Sequence, residues 1–592
     1  MSMLMSTQTS PGSSTAQLLA RCRLRRRQDL IGADLFLVMA VACATPPDTS
    51  LWKSWIQLPQ PLTVSLLDDA PIEFVKAELK RCVDSCDASD ASQGDFLPTR
   101  LLDVSGSIPR LVTTRAASRI QDTDARYLAL SYCWGNGNQL KLTQDSIDWM
   151  TRGIPLELLA PVQIDTIALA KALSIPYVWI DALCILQDDH DDWCRESSSM
   201  HKIYATSYLT VCALSTTSCQ QGYLSRRSPM ITVPCHSKTD DTGYFHLQPF
   251  MWTHDRNQTY SGITPGSTWS TRAWTYQEQG MATRLLYVTS AGFTFSCSSW
   301  TISEHSNLAS NPRKDVILAE LLASKDPETL YKTWAERVIA NYSPRELTQN
   351  QDRLPALSGL AQIFGQSLPG DEYAAGLWRN DLHRGLGWIL RIPPHESLSG
   401  LLDDLSDNDS YIGPSWSWIS RPKSLVVYDE ELVFYKYKSS EWIDHQEFEL
   451  LSMSITKKGL DNYGQISQGT LSVRAYVYKL SRKGNAARDA NDPRNLIYTF
   501  GDQQNHACLI RPDWRLKDEK QNLCNLSFVL IGSGSSEDEP RTSLHGLVVH
   551  AVGASGTYFR VGTFWPTLVY NFAEPSLQFF RRESILQDIK LI

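Results

Sequence analysis

Several common signatures are missing from this 592-residue chain. It has no G-K-[ST] for a phosphate-binding loop and no G-x-G-x-x-G for a dinucleotide, so the G-x-G at Gly135–Gly137 stands alone. No long basic block occurs outside Arg21–Arg27, and the net charge is −8, so charge gives no ground for nucleic-acid binding. Zinc-finger spacings and RNP aromatic motifs are missing too. No segment stays apolar for the roughly 20 residues that a membrane span needs. The thirteen cysteines are odd in number and scattered. They fit the reduced thiols of a cytoplasmic protein better than a secreted disulfide framework. Internal repeats are absent.

What is present points to a large globular protein. The length suits two or three domains, and 18 Trp with 23 Tyr promise aromatic packing or aromatic-lined pockets. Residues 1–60 are Ser/Thr/Pro-rich. In them Arg21–Arg27 precedes an apolar run, Leu35–Cys43, and an Ala42-Cys43-Ala44 triplet, the outline of a secretory signal. That outline starts late and Asp34 interrupts it, so a disordered or helical extension is the preferred reading and a targeting signal the alternative. Pro71–Cys86 reads as an amphipathic helix. Its Cys82 and Cys86, at i and i+4, have no third ligand nearby in sequence, so no metal site is expected there.

Apolar, β-branched or aromatic runs then mark strands at Leu97–Val104, Arg110–Thr113, Tyr127–Tyr132, Tyr177–Ile180 and Tyr208–Leu214. Between them lie a helix from Pro161, with Ile164, Ile167, Ala168 and Ala172 as its apolar stripe, and a second helix over 193–204. Alternating strands and helices with nearly all-apolar strands predict an α/β fold, a parallel sheet covered on both faces. Ligands of such sheets sit outside the carboxyl ends of the strands, here Cys133–Gly137 and Asp181–Gln187. A helix with Trp274, Gln277, Glu278 and Met281 on one face comes next, then strands at Arg284–Val288 and Phe293–Cys297 and a polar linker, Ser298–Lys314. The remainder reads as helical to about Gly387 and as antiparallel β from Trp416. The expected domains are therefore 1–60, 61–300 and an α+β region, 301–592.

One residue stands out. On a helical wheel Glu196 falls in the stripe of Trp193, Met200, Ile203 and Tyr204, and a carboxylate there must be partnered or used. An ion pair with an arginine such as Arg272 is one expectation; a raised pKa beside Asp181 or Glu278, suited to acid–base work, is the other. Asp181 reads as a turn acceptor or as a catalytic acid. Cys133 and Cys184 are thiols without an evident His partner. Gln277 and Glu278 are inward polar groups able to hold a sugar or amide, and His190 and His201 lack metal-ligand spacing.

Taken together, LPTRLLDV, YLALSYCWG, PVQIDTIALAKALSIPYVWIDALCILQDD, DWCRESSSMHKIY, GYLSRR and RAWTYQEQGMATRLLYV, spread over Leu97 to Cys297, resemble the fungal heterokaryon incompatibility (HET) domain family. A departure is Cys82-Val-Asp-Ser-Cys86, where family members often carry a His near the Cys. The resemblance implies a cytoplasmic role in recognising non-self after cell fusion and triggering regulated cell death, a form of fungal innate immunity. It implies as partners other incompatibility or NLR-type proteins, or further copies of the chain. HET domains are similar to TIR domains, some of which cleave NAD with a helix glutamate in a W-C-x-x-E-like pattern. Trp193-Cys194-Arg195-Glu196 is close to it, with the Glu one residue early. The resemblance thus implies a TIR-like parallel sheet and NAD as substrate rather than a resident cofactor. Glu196, Asp181 and Glu278 become the candidate catalytic acids, and Tyr132, Trp134, Gly135 and Gln277 the candidate nucleotide contacts.

Overall fold

The structure, a computed structural model, describes residues 65–86, 96–114, 124–225, 267–304, 324, 326–428, 448–500, 506–516 and 523–592. Within these it is interrupted at 291, 460, 481–484, 524, 535–542, 554–555 and 567–576. It also gives the backbone of segments 3–8, 17–23, 36–44, 231–236, 242–251 and 442–443. Asp34, Leu24–Arg27, Arg226, Arg227 and residues 305–314 of the expected linker lie outside it. The chain divides into one unit of residues 1–271 with 278–316 and another of 272–277 with 317–592.

The first unit is built on an eight-stranded sheet. Its strands are β1 (Arg100–Asp103), β2 (Arg110–Thr113), β3 (Tyr127–Ser131), β4 (Tyr177–Trp179), β5 (Leu209–Ala213), β6 (Leu285–Val288), β7 (Phe293–Ser296) and β8 (Thr301–Ser303). They lie in the order β8-β7-β6-β5-β3-β4-β1-β2. Strands β6, β5, β3 and β4 run parallel, and the outer pairs are antiparallel. Every residue of β3 and β5 is buried, as sheet faces covered on both sides require. From β3 the chain crosses to one neighbour, β4, and then returns past β3 to β5 on its other side. The crevice of such a sheet lies between β3 and β5, outside their carboxyl ends.

Four helices matter to the site: α1 (Asp69–Ser85), α2 (Pro161–Ala172), α3 (His190–Thr206) and α4 (Trp274–Met281). Helix α2 starts with Pro161, and Gln163 Oε1 accepts the Ala160 N–H at 3.0 Å. Its buried face is Val162, Gln163, Thr166, Ile167, Leu169 and Ala170, whereas Ile164 is 38% exposed. The expected stripe is therefore out of phase. A helix apolar nearly all round offers little periodicity from which to read its inward face. Helix α3 is capped by Asp189, which accepts the Asp192 N–H at 2.9 Å, and it buries Glu196, Met200, Ile203 and Tyr204. It docks on β3 through the Tyr204 hydroxyl, which donates to Leu130 O at 3.2 Å.

A separate antiparallel sheet carries the N-terminal strands Met3–Gln8, Gln17–Arg23 and Phe36–Ala44, the last of these paired with Thr242–Met251. Phe36–Ala44 takes in most of the apolar run read as signal-like.

In the second unit, helices such as Pro355–Ser367 precede a ten-stranded sheet. The sheet is antiparallel except where Thr557–Pro566 meets Ile585–Leu591. Stacked aromatics fill its core, with Phe528 and Phe564 ring centres 4.1 Å apart. Among the described residues no helix is long and apolar enough to cross a membrane.

Candidate functional site

At the carboxyl end of β3, Ser131 accepts a hydrogen bond from the Trp269 indole at 2.7 Å and donates its own proton to the Glu278 carboxylate. Glu278 is thus buried at the sheet's switch point. The following turn holds Asp181, which begins a short helix after β4: the Trp134 indole donates to its Oδ2 at 2.9 Å, and the Ala182 N–H donates to Oδ1 at 2.7 Å. Tyr132 is buried and donates to Gln139 Oε1 at 2.8 Å. Gly135 has φ +61°, and a Cβ there would lie 2.8 Å from Ser218 Cβ and 2.9 Å from its Cα. The turn needs glycine so that the segment following β5 can press against it. Cys219 N–H donates to Trp134 O at 3.2 Å across the same contact. The bare side of Gly135, which a phosphate would need, is occupied by Ser218.

Glu196 faces inward from α3 and is 4% exposed. Burial pushes its carboxyl above the ordinary range, while a hydrogen bond from Thr99 and the charge of Arg100 pull it back. The arginines that act on Glu196 are Arg100, on β1, and more weakly Arg195 of its own helix. Arg100 itself grips Asp192, one helical turn before Glu196, with two nitrogens, one at 3.1 Å, and donates to Cys184 O at 3.2 Å. Asp192 also accepts the Leu186 N–H at 2.9 Å. Cys184 lies near enough to feel both Glu196 and Asp181, and its thiol is pushed up to about 12, mainly by burial. A thiol so protonated at neutral pH is not a nucleophile. Cys133 packs with Cys212, Trp269, Leu285 and Tyr287 as part of an apolar cluster.

Helix α4 divides its two polar residues. Gln277 belongs to the second unit, where its Oε1 accepts the Gly359 N–H at 2.8 Å, whereas Glu278 belongs to the first. Neighbouring residues on a helix point about 100° apart, and these two serve different surroundings.

Two features escaped the sequence reading. Asp192 and Arg100 form a buried ion pair whose partners are 92 residues apart. Asp192 sits at i−4 from Glu196, so its inward face was readable, but its partner was not. The second is a third thiol: Cys82, Cys86 and Cys297 have their sulfurs within 4.8 Å of one another, all buried. Cys297 follows β7, and the absence of a third group beside Cys82 and Cys86 held only along the sequence.

The carboxylates share one habit. Each joins two separated stretches of chain: Asp181 to Trp134, Glu278 to Ser131, Asp192 to Arg100, and Asp165 of α2 to the N–H groups of Tyr223 and Leu224. Comparison with curated proteins finds no match, and neither does comparison with solved structures. A family model described as "Heterokaryon incompatibility protein (HET)" matches residues 127–278, from the first residue of β3 to the glutamate bonded to that strand's last. Residues 127–278 therefore form a domain of the heterokaryon incompatibility family.

Proposed function

We propose that the chain is an incompatibility effector: its HET domain takes part in non-self recognition and drives regulated cell death in the cytoplasm through assembly or partner contact. The observation that supports this reading is the use made of the buried carboxylates. The candidate acids Asp181 and Glu278, and Asp192 beside Glu196, each accept hydrogen bonds from a distant part of the first unit, which is how carboxylates fix a scaffold. Expression of the full chain in a fungal host tests the proposal. Death is expected with wild type and with Glu196→Gln alike. Harmless overexpression of folded protein overturns it.

A second reading, cleavage of the N-glycosidic bond of NAD, is favoured by one observation, the buried Glu196 with its raised carboxyl. A carboxyl raised above its ordinary range is shifted in the direction that general-acid catalysis uses. Incubation of the purified chain with NAD, following nicotinamide, separates the two. The effector reading expects no release, or equal release from Glu196→Gln. Release that vanishes in Glu196→Gln moves the assignment to the enzyme.

A further inference from the structure

We propose that Cys82, Cys86 and Cys297 form a binding site for a thiophilic divalent metal, Zn²⁺, which clamps α1 to the β7–β8 hairpin. The three sulfurs lie within 4.8 Å of one another, and Cys86 and Cys297 are 3.8 Å apart. Tetrahedral zinc with Zn–S bonds of about 2.3 Å separates its sulfurs by about 3.8 Å. The thiols thus already approximate one face of the coordination tetrahedron.

The surroundings are built to hold that face still. Cys82 lies in the last turn of α1, and Cys86 closes the helix, its N–H donating to Cys82 O at 3.0 Å, which brings both thiols to one side. Cys297 leaves β7, and the N–H groups of Ser299 and Trp300 are directed at its sulfur. Such backbone donors are the usual supports of a metal-bound thiolate. Helix and hairpin are locked together independently of the thiols. The Trp300 indole donates to Glu78 at 2.8 Å, and the Arg81 guanidinium sits 4.1 Å above the Trp300 ring. Ser299 is exposed and its hydroxyl is 3.3 Å from Cys86 Sγ, which sets an oxygen beside the sulfurs as a support or a fourth ligand. Binding replaces the thiol protons by three S–Zn bonds and releases those protons to buffer. No oxidant is involved.

The full chain, purified without chelator, is tested by elemental analysis and by alkylation of its cysteines followed by peptide mass spectrometry. One zinc per chain is expected, with Cys82, Cys86 and Cys297 protected together and exposed together once the metal is stripped. Cys297→Ser should weaken zinc binding more than about 100-fold, beyond the loss seen when only an outer supporting group is removed. The alkylation arm uses wild type alone, so it decides the matter even if the variant fails to fold. Failure to take up stoichiometric zinc, zinc that leaves these three thiols reactive, a disulfide between any two of them, or unchanged affinity in folded Cys297→Ser each overturns the site. Copper in place of zinc overturns the assignment of the ion.

Discussion

In the first unit the described residues bury three acids, Asp192, Glu196 and Glu278, against two arginines, Arg100 and Arg284; in the second unit the balance is reversed, with five buried arginines against three aspartates. The two regions solve the same problem by different chemistry. In the HET domain neutral donors hold much of the buried charge: Ser131 serves Glu278, and Thr99 serves Glu196. In the second unit aromatic faces do so. Arg560 and Arg421 share Asp513, and the Arg560 guanidinium lies 3.2 Å from the Trp388 ring centre. Burial lowers the Arg560 pKa to about 10 even with Asp513 present. Planar guanidiniums tolerate this because they stack, whereas a carboxylate needs donors. Cationic excess can therefore sit deep in a β core, while acidic excess gathers where strand ends and helix turns supply N–H and O–H groups.

The sharpest way to break this comparison is to remove the shared acid. Asp513→Ala leaves two buried guanidiniums without a counter-charge and should cost about 3–5 kcal/mol. The loss would be read from the urea midpoint of the full chain, and Arg421→Met, which leaves a one-to-one pair, should cost less. If the order is reversed, the stacking on Trp388 matters more than the ion pairs. On the other side, Arg100→Met leaves Asp192, beside Glu196, with only the 3.4 Å contact of the exposed Arg195 for counter-charge and should cost about 3 kcal/mol. The double variant with Asp192→Leu should recover a large part of that, and additive losses would show that the pair is not coupled.

Smaller effects sharpen the picture. Glu278→Gln keeps an acceptor for Ser131 but removes its charge, and a loss of about 1 kcal/mol is expected in thermal unfolding. Glu196→Gln should change stability least, by under about 1 kcal/mol at neutral pH, the scale of one ordinary hydrogen bond. Its sign depends on pH. Because the folded carboxyl is raised above its unfolded value, its stabilising contribution is complete below the unfolded pKa of about 4.3 and is lost as pH rises through the folded one. The variant should thus gain on wild type between about pH 4 and pH 7. A gap that stays constant over that range would mean that the fold does not raise the Glu196 carboxyl above its unfolded value.

Much of this architecture was legible because parallel strands announce themselves. Tyr127–Ser131 and Leu209–Ala213 are apolar on both faces, and nothing but a covered strand suits them. The inward Glu196 was legible from one turn of a wheel. The phase of α2 was not, since Ile164 looks as apolar as Ile167 and only tertiary packing separates them. Partners were hidden for a different reason. Arg100, Cys297 and Ser218 meet Asp192, Cys86 and Gly135 only after the sheet has formed, and no local spacing encodes those meetings. In the second unit a lone arginine before a proline, Arg421, looks like an exposed loop residue. It is wholly buried because a distant aspartate and tryptophan are waiting for it.

The separation of 211 positions from Cys86 to Cys297 also sets a clock. At 5–20 residues per second, a ribosome takes roughly 10–40 s to go from one to the other. During that interval α1 has emerged while β5, β6 and the hairpin that receives it are still being made. The first helix of this unit must therefore wait, its apolar face and two thiols uncovered, until the strand it packs on has been made.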